Sequence, residues 1–114
     1  MPYIVTRTNK EIDKATSLDL KSELGKAIST IPGKSEEWLM VENVGGCDLY
    51  FKGDNSETLV YAEVKIYGSA NAGDLNELTC VLTDIYTEIL DCDPANVYIK
   101  YEEVKYWGWN ARNL

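Results

Sequence analysis

Apolar and polar positions alternate along this chain in two halves of the same design. Tyr3-Ile4-Val5-Thr6-Arg7-Thr8 is β-branched and aromatic and predicts a strand. Leu20, Leu24, Ala27, Ile28 and Ile31 then fall at helical spacing. Ser17 is the expected N-cap, with Asp19 in the first turn, and Pro32-Gly33 the expected stop. Trp38 to Val44 predicts a second strand closed by Gly45-Gly46. Tyr50-Phe51 adds a short extended piece before a turn at Gly53-Asp54-Asn55. In the second half, Leu59 to Tyr67 sets Val60, Ala62, Val64 and Ile66 against Tyr61, Glu63, Lys65 and Tyr67, a clear strand alternation. Asp74 and Glu77 resemble a capping box for a helix whose apolar face is Leu75, Leu78, Leu82, Ile85 and Ile89. Asp93-Pro94 ends the connection, and Val97 to Tyr101 predicts a fourth strand.

Strand–helix–strand therefore occurs twice with no linker, which predicts a single α/β domain over residues 1–114, with repeat halves of about 1–56 and 57–114. A crossover connection favours parallel, adjacent strands within each half. The same element order also describes a ferredoxin-like split sheet, and the pattern alone leaves both arrangements open. In either one, two helices cover one face of a four-stranded sheet. The other face, with Trp38, Tyr61 and Tyr67, then needs a cover, and oligomerisation is the simplest one.

Composition narrows the function. With 114 residues, 45% of them hydrophobic, the chain can build a core without metal or disulfide staples. Lys+Arg 11 against Asp+Glu 19 leaves a net charge of −8, which argues against nucleic acid as a partner, since phosphate contacts need clustered cations. No apolar run approaches the ~20 residues of a membrane span, so membrane insertion is not expected. No signal segment opens the chain, and a cytoplasmic location is expected. Cys47, Cys80 and Cys92 cannot all pair and form no C-x-x-C, which favours free thiols in a reducing compartment, with Cys80 as a small core residue. Histidine is absent, which removes Ser-His-Asp and Cys-His machinery and the usual neutral-pH base.

Pro2 is the residue that stands out. A proline can simply begin a strand, where a missing N–H costs little. Removal of the initiator methionine would instead leave a secondary amine, and α-amino groups already titrate near ~7.7–8.0. Burial and a neighbouring cation would lower that value and favour the neutral base.

Met1-Pro2-Tyr3-Ile4-Val5-Thr6-Arg7-Thr8-Asn9, the Gly33-Lys34 pair, and Val97-Tyr98-Ile99-Lys100-Tyr101 followed by Gly108-Trp109-Asn110 resemble, in register, the macrophage migration inhibitory factor family of the tautomerase superfamily. The resemblance covers essentially the whole chain. It implies two βαβ repeats forming a four-stranded mixed sheet, assembled as a homotrimer with interfacial sites. It also implies keto–enol tautomerisation of a small aromatic or aliphatic 2-oxo acid of the phenylpyruvate type, with Pro2 as base and neither metal nor cofactor. By position, Lys34 would bind the substrate carboxylate or keto oxygen, and the Val64 backbone N–H would point to the substrate. Tyr98 and Lys100 would reach in from the neighbouring subunit, Trp38 and Trp107 would form walls, and Trp109 would anchor a subunit contact.

Three departures matter. The C-x-x-C of the vertebrate cytokine is missing, so thiol–disulfide activity is not expected. Trp38 stands where tyrosine is common. Lys100 replaces the usual asparagine, so the pocket is expected to hold two ammonium groups and to favour a second substrate carboxylate. The family also includes cytokines, which implies an alternative as a secreted, receptor-binding protein with weak or no catalysis, exported without a signal peptide. A ferredoxin-like regulatory domain without chemistry is the third reading.

Overall fold

The computed structural model describes all residues from Met1 to Leu114. The element order is β1 (Pro2–Thr8), α1 (Lys14–Ala27), β2 (Met40–Val44), β3 (Val60–Tyr67), α2 (Ala72–Leu90), β4 (Val97–Val104), β5 (Gly108–Trp109) and β6 (Arg112–Asn113). The main sheet runs β2-β1-β3-β4. β1 is parallel to β2, β3 is parallel to β4, and β1 meets β3 antiparallel. Each crossover thus returns its second strand beside its first. That arrangement excludes the ferredoxin-like alternative, in which the strands of one unit are split by a strand of the other.

The alternation of β3 decides where the core lies. Val60, Ala62, Val64 and Ile66 are buried, while Tyr61, Glu63, Lys65 and Tyr67 turn to the opposite face. The buried set packs with Ile4, with Leu20, Leu24 and Ile28 of the first crossover, and with Leu78, Leu82, Tyr86 and Leu90 of α2. Both helices cover this face, and no element of the chain covers the other. Neither helix is long and apolar enough to cross a membrane.

Several boundaries differ from the sequence-based expectation. α1 starts earlier, capped by Asp13, whose carboxylate accepts from the Thr16 N–H at 2.8 Å. Ser17 instead accepts from the Asn43 amide through its carbonyl (3.2 Å) and its hydroxyl (3.1 Å), tying α1 to β2. The α-helix ends at Ala27 and tightens into a 3₁₀ turn over Ile28–Thr30. α2 is capped by Asn71, which accepts from the Asp74 N–H at 2.8 Å, so Asp74 is a first-turn acid rather than the cap. Trp38 lies in a 3₁₀ turn, Glu36–Trp38, ahead of β2. Cys80 is exposed, not core: it follows the buried Leu78 by two residues, about 200° around the helix.

One polar pair is sealed inside. The Thr6 and Tyr86 hydroxyls are 2.7 Å apart in full burial, joining the central strand to α2. Burial holds the Tyr86 phenol well above its ordinary pKa. Tyr86→Phe leaves the Thr6 hydroxyl without a partner and is expected to cost about 1–2 kcal/mol in urea unfolding at fixed protein concentration. Thr6→Val combined with Tyr86→Phe should cost less than the two single losses summed, and simple additivity would show that the bond contributes nothing.

Candidate active site

Pro2 has no N–H to give a ladder, so it can occupy only the first position of an interior strand. It is buried there, opposite Ile66 of β3. The chain beyond it is fixed by Tyr67, whose N–H donates to the Met1 carbonyl at 3.1 Å. The Tyr67 carbonyl in turn accepts from Lys34 Nζ at 3.1 Å. A single residue therefore holds both the Met1–Pro2 junction and the lysine.

Lys34 reaches this point because of a tight turn. Its N–H bonds the Ile31 carbonyl at 3.1 Å, and Gly33 has φ +83. Proline second and glycine third are the residues of a type II turn, since only glycine takes that positive φ without strain. The amine of Met1 feels the result: burial, and then the Lys34 charge, lower its pKa below 8.0.

A cavity of about 800 Å³ opens beside Pro2, lined by Met1, Tyr3, Trp38, Met40, Trp107 and Trp109 among others. All three tryptophans of the chain meet here. Trp38 and Trp109 pack edge to face at 5.2 Å between ring centroids. Trp109 is carried by a hairpin, β5–β6, that the hydrophobic pattern did not reveal. Its two turn residues, Asn110 and Ala111, have φ 53 and 65, as a two-residue hairpin turn requires. Asparagine after Gly-Trp was the available signal, but alanine in place of glycine at the next position concealed it. The Leu114 N–H donates to the Trp107 carbonyl at 3.0 Å and closes the end of the chain.

The predicted site residues divide into three groups. Pro2, Trp38 and Trp107 line the cavity and Lys34 stands beside it. Trp109, expected to anchor a subunit contact, also lines the cavity within the chain. Val64 is not at the cavity: it is fully buried mid-strand opposite Ile4 and Tyr101, two residues deeper than Ile66. The backbone N–H that does reach the junction is that of Tyr67. Alternation gave both residues strand positions but not which end of β3 meets Pro2.

Tyr98 and Lys100 lie far from Pro2 within one chain. They pair with Tyr61 and Glu63, five and three residues along β3 from Ile66, about 16 and 10 Å at ~3.3 Å per residue. Tyr98 packs edge to face on Phe51 at 5.1 Å. With Leu49, Leu59 and Tyr61 it walls a separate apolar cavity of about 150 Å³. Lys100, expected as a second ammonium group of the site, is ion-paired within its own chain. Its Nζ is 2.9 Å from Glu102 and 4.0 Å from Glu63. The hydrogen bond from Lys100 and its charge lower the Glu102 pKa, and Glu102 raises that of Lys100 in return. No group of three or more His, Cys, Asp or Glu side chains is placed to hold a metal ion.

A family model described as macrophage migration inhibitory factor (MIF) matches residues 1–112. No curated protein matches the chain in sequence. Among solved structures, Leishmania major MIF2 superposes with a TM-score of 0.92 at 21% identity, covering 100% of this chain and 97% of that one. The protein Pt0534 inactivated by 2-oxo-3-pentynoate gives 0.82 at 12% identity, with 97% and 95% covered. A fused 4-OT wild-type asymmetric trimer gives 0.85 at 10% identity, with 97% and 94% covered. At such identities the likeness to these structures is one of fold.

Two outcomes follow from the geometry. Lys34→Ala removes a like charge and should raise the pKa of the Met1 amine toward 8.0 without reaching it, because desolvation persists; an NMR titration of the labelled N-terminus reads this. Ala111→Gly relieves a left-handed alanine in the Trp109 hairpin and should stabilise the fold by about 1 kcal/mol in urea unfolding.

Proposed function

This chain belongs to the macrophage migration inhibitory factor family, and from that membership we propose that it is a cofactor-independent keto–enol tautomerase of phenylpyruvate-like 2-oxo acids, with Pro2 as general base once Met1 is removed. The observation that carries the reading is the placement of Pro2, buried at the head of β1 beside an aromatic cavity and Lys34. With Met1 attached, the Pro2 nitrogen is an amide and cannot take a proton. Its removal creates a secondary amine in the same desolvated surroundings, next to the same cation, so the neutral form is favoured at pH 7.

Loss of Met1 has a second consequence. The Tyr67 N–H then has no acceptor and points at the space beside Pro2. In the proposed reaction the substrate carboxylate faces Lys34, and its side chain lies against Trp38, Trp107 and Trp109. Pro2 takes a proton from the carbon beside the ketone, and the electron pair moves to oxygen. The Tyr67 N–H stabilises the developing enolate as a fixed donor. Return of the proton to oxygen completes the enol and restores neutral Pro2.

The site is completed in a homotrimer. Tyr98 is 59% exposed on the sheet face away from the helices, too far from its own Pro2 to share substrate with it. A neighbouring copy brings Tyr98 and Lys100 to the cavity. The trimeric state of the fused 4-OT structure and the 2-oxo inactivator of Pt0534 support this assembly and this substrate class. One observation favours the alternative, a receptor-binding protein on the same fold: while Met1 remains, its carbonyl occupies the Tyr67 donor.

Intact mass followed by enol–keto turnover of phenylpyruvate on the same sample tests the proposal. Protein lacking Met1 should turn over, and protein retaining it should not. Pro2→Gly keeps a primary amine and should lower kcat/KM roughly tenfold or more. The rate should rise with pH through the titration of the Pro2 amine, because the deprotonated form is the base. Lys34→Ala should raise KM about tenfold and move that rising limb to higher pH. Turnover indifferent to Pro2 would refute the assignment.

A further inference from the structure

The sheet face away from the helices carries an ordered set of charges that takes no part in the proton transfer itself. Glu63 faces Lys100 across β3 and β4, and Lys65 faces Glu102, so the signs alternate in both directions. Each lysine lies within 4.0 Å of both glutamates, at 2.9 and 4.0 Å for Lys100 and 3.8 and 4.0 Å for Lys65. Glu63 is the most covered of the four, 18% exposed, and also accepts from the Tyr61 hydroxyl at 2.9 Å. Lys100 is the most open, at 53%. The four charges sum to zero. Lys34, by contrast, has no carboxylate partner and bonds only a backbone carbonyl.

On the reading that Lys100 enters a neighbouring subunit's site, we propose that Glu102 sets the charge the site accepts: by holding Lys100 it leaves Lys34 as the one lysine free for a substrate carboxylate, so the site selects monoanionic 2-oxo acids with an uncharged distal group and refuses dianionic ones. A second carboxylate arriving at Lys100 must displace Glu102 and stand against both glutamates. An apolar group meets no such cost, and beside Lys100 on the same face of β4 it finds the Tyr98 and Phe51 rings. Glu102 is a positioning residue here, acting through Lys100.

The test compares 2-oxoglutarate with 5-methyl-2-oxohexanoate, in which an isopropyl group replaces the distal carboxylate. Quenching of the cavity tryptophans in Met1-free protein reads binding, and deuterium exchange at C3 of the same acids reads enolisation. The protein should bind the branched acid at least about tenfold tighter, and Glu102→Gln should tighten 2-oxoglutarate by roughly five- to tenfold by releasing one charge. In a Lys100→Met background, Glu102→Gln should gain clearly less, since only direct repulsion is then relieved. Equal binding of both acids by the unmodified protein, or a gain undiminished by Lys100→Met, overturns the proposal. Charge selection without exchange removes the catalytic reading and leaves this one standing; exchange without charge selection does the reverse. Failure to bind either acid overturns both.

Discussion

The pairing of β1 on both sides is the constraint from which the rest follows. As the strand where the two halves meet, it runs parallel to β2 and antiparallel to β3, and its far end is pinned by Asn9. That side chain donates to the Glu57 carbonyl at 2.9 Å and accepts from the Leu59 N–H at 2.8 Å. A strand held along both edges cannot slide, because a one-residue slip would turn Ile4 and Thr6 out of the core. Pro2, at its head, is placed with the same rigidity. Met1 is held in turn by the Tyr67 N–H, and burial with the Lys34 charge lowers the pKa of its amine.

Lys34 and Tyr67 depend on that placement and contribute to it. The Pro32-Gly33 turn delivers Lys34 to the Tyr67 carbonyl, and the N–H of the same residue secures Met1. The cluster joins the end of the first crossover to the end of β3, segments far apart in sequence and adjacent only because the halves pair antiparallel. Electrostatics is equally local. A chain of net charge −8 still presents Lys34 without a carboxylate beside it, while Lys65 and Lys100 are held by glutamates.

Much of this was legible in the chain. The alternation of Leu59 to Tyr67 identified both the strand and its buried face, because a half-buried strand has a period of two. The absence of histidine drew attention to the terminal amine, and the residues around Pro2, Lys34 and Gly108-Trp109-Asn110 pointed to the family. Helix starts were read less well. Ser17 and Asp74 are good capping residues, but Asp13 and Asn71 stand nearer the true ends, and propensity does not say which of several suitable residues the chain will use. Cys80 was misplaced because cysteine is often buried, whereas its angle from Leu78 on α2 gives the answer.

By itself, then, the sequence determined the doubled strand–helix–strand order, the buried face of each strand and the residue types available for chemistry, since these follow from periodicity and composition. Only the tertiary structure decided which ends of those strands meet. Register placed Tyr67 rather than Val64 at the Met1–Pro2 junction and sent Tyr98 and Lys100 to the other end of the sheet. It also set Glu102 across from Lys65 and beside Lys100, making that lysine half of an ion pair. Such facts depend on distances between strands remote in sequence, and hydrophobic periodicity along one strand carries no information about them.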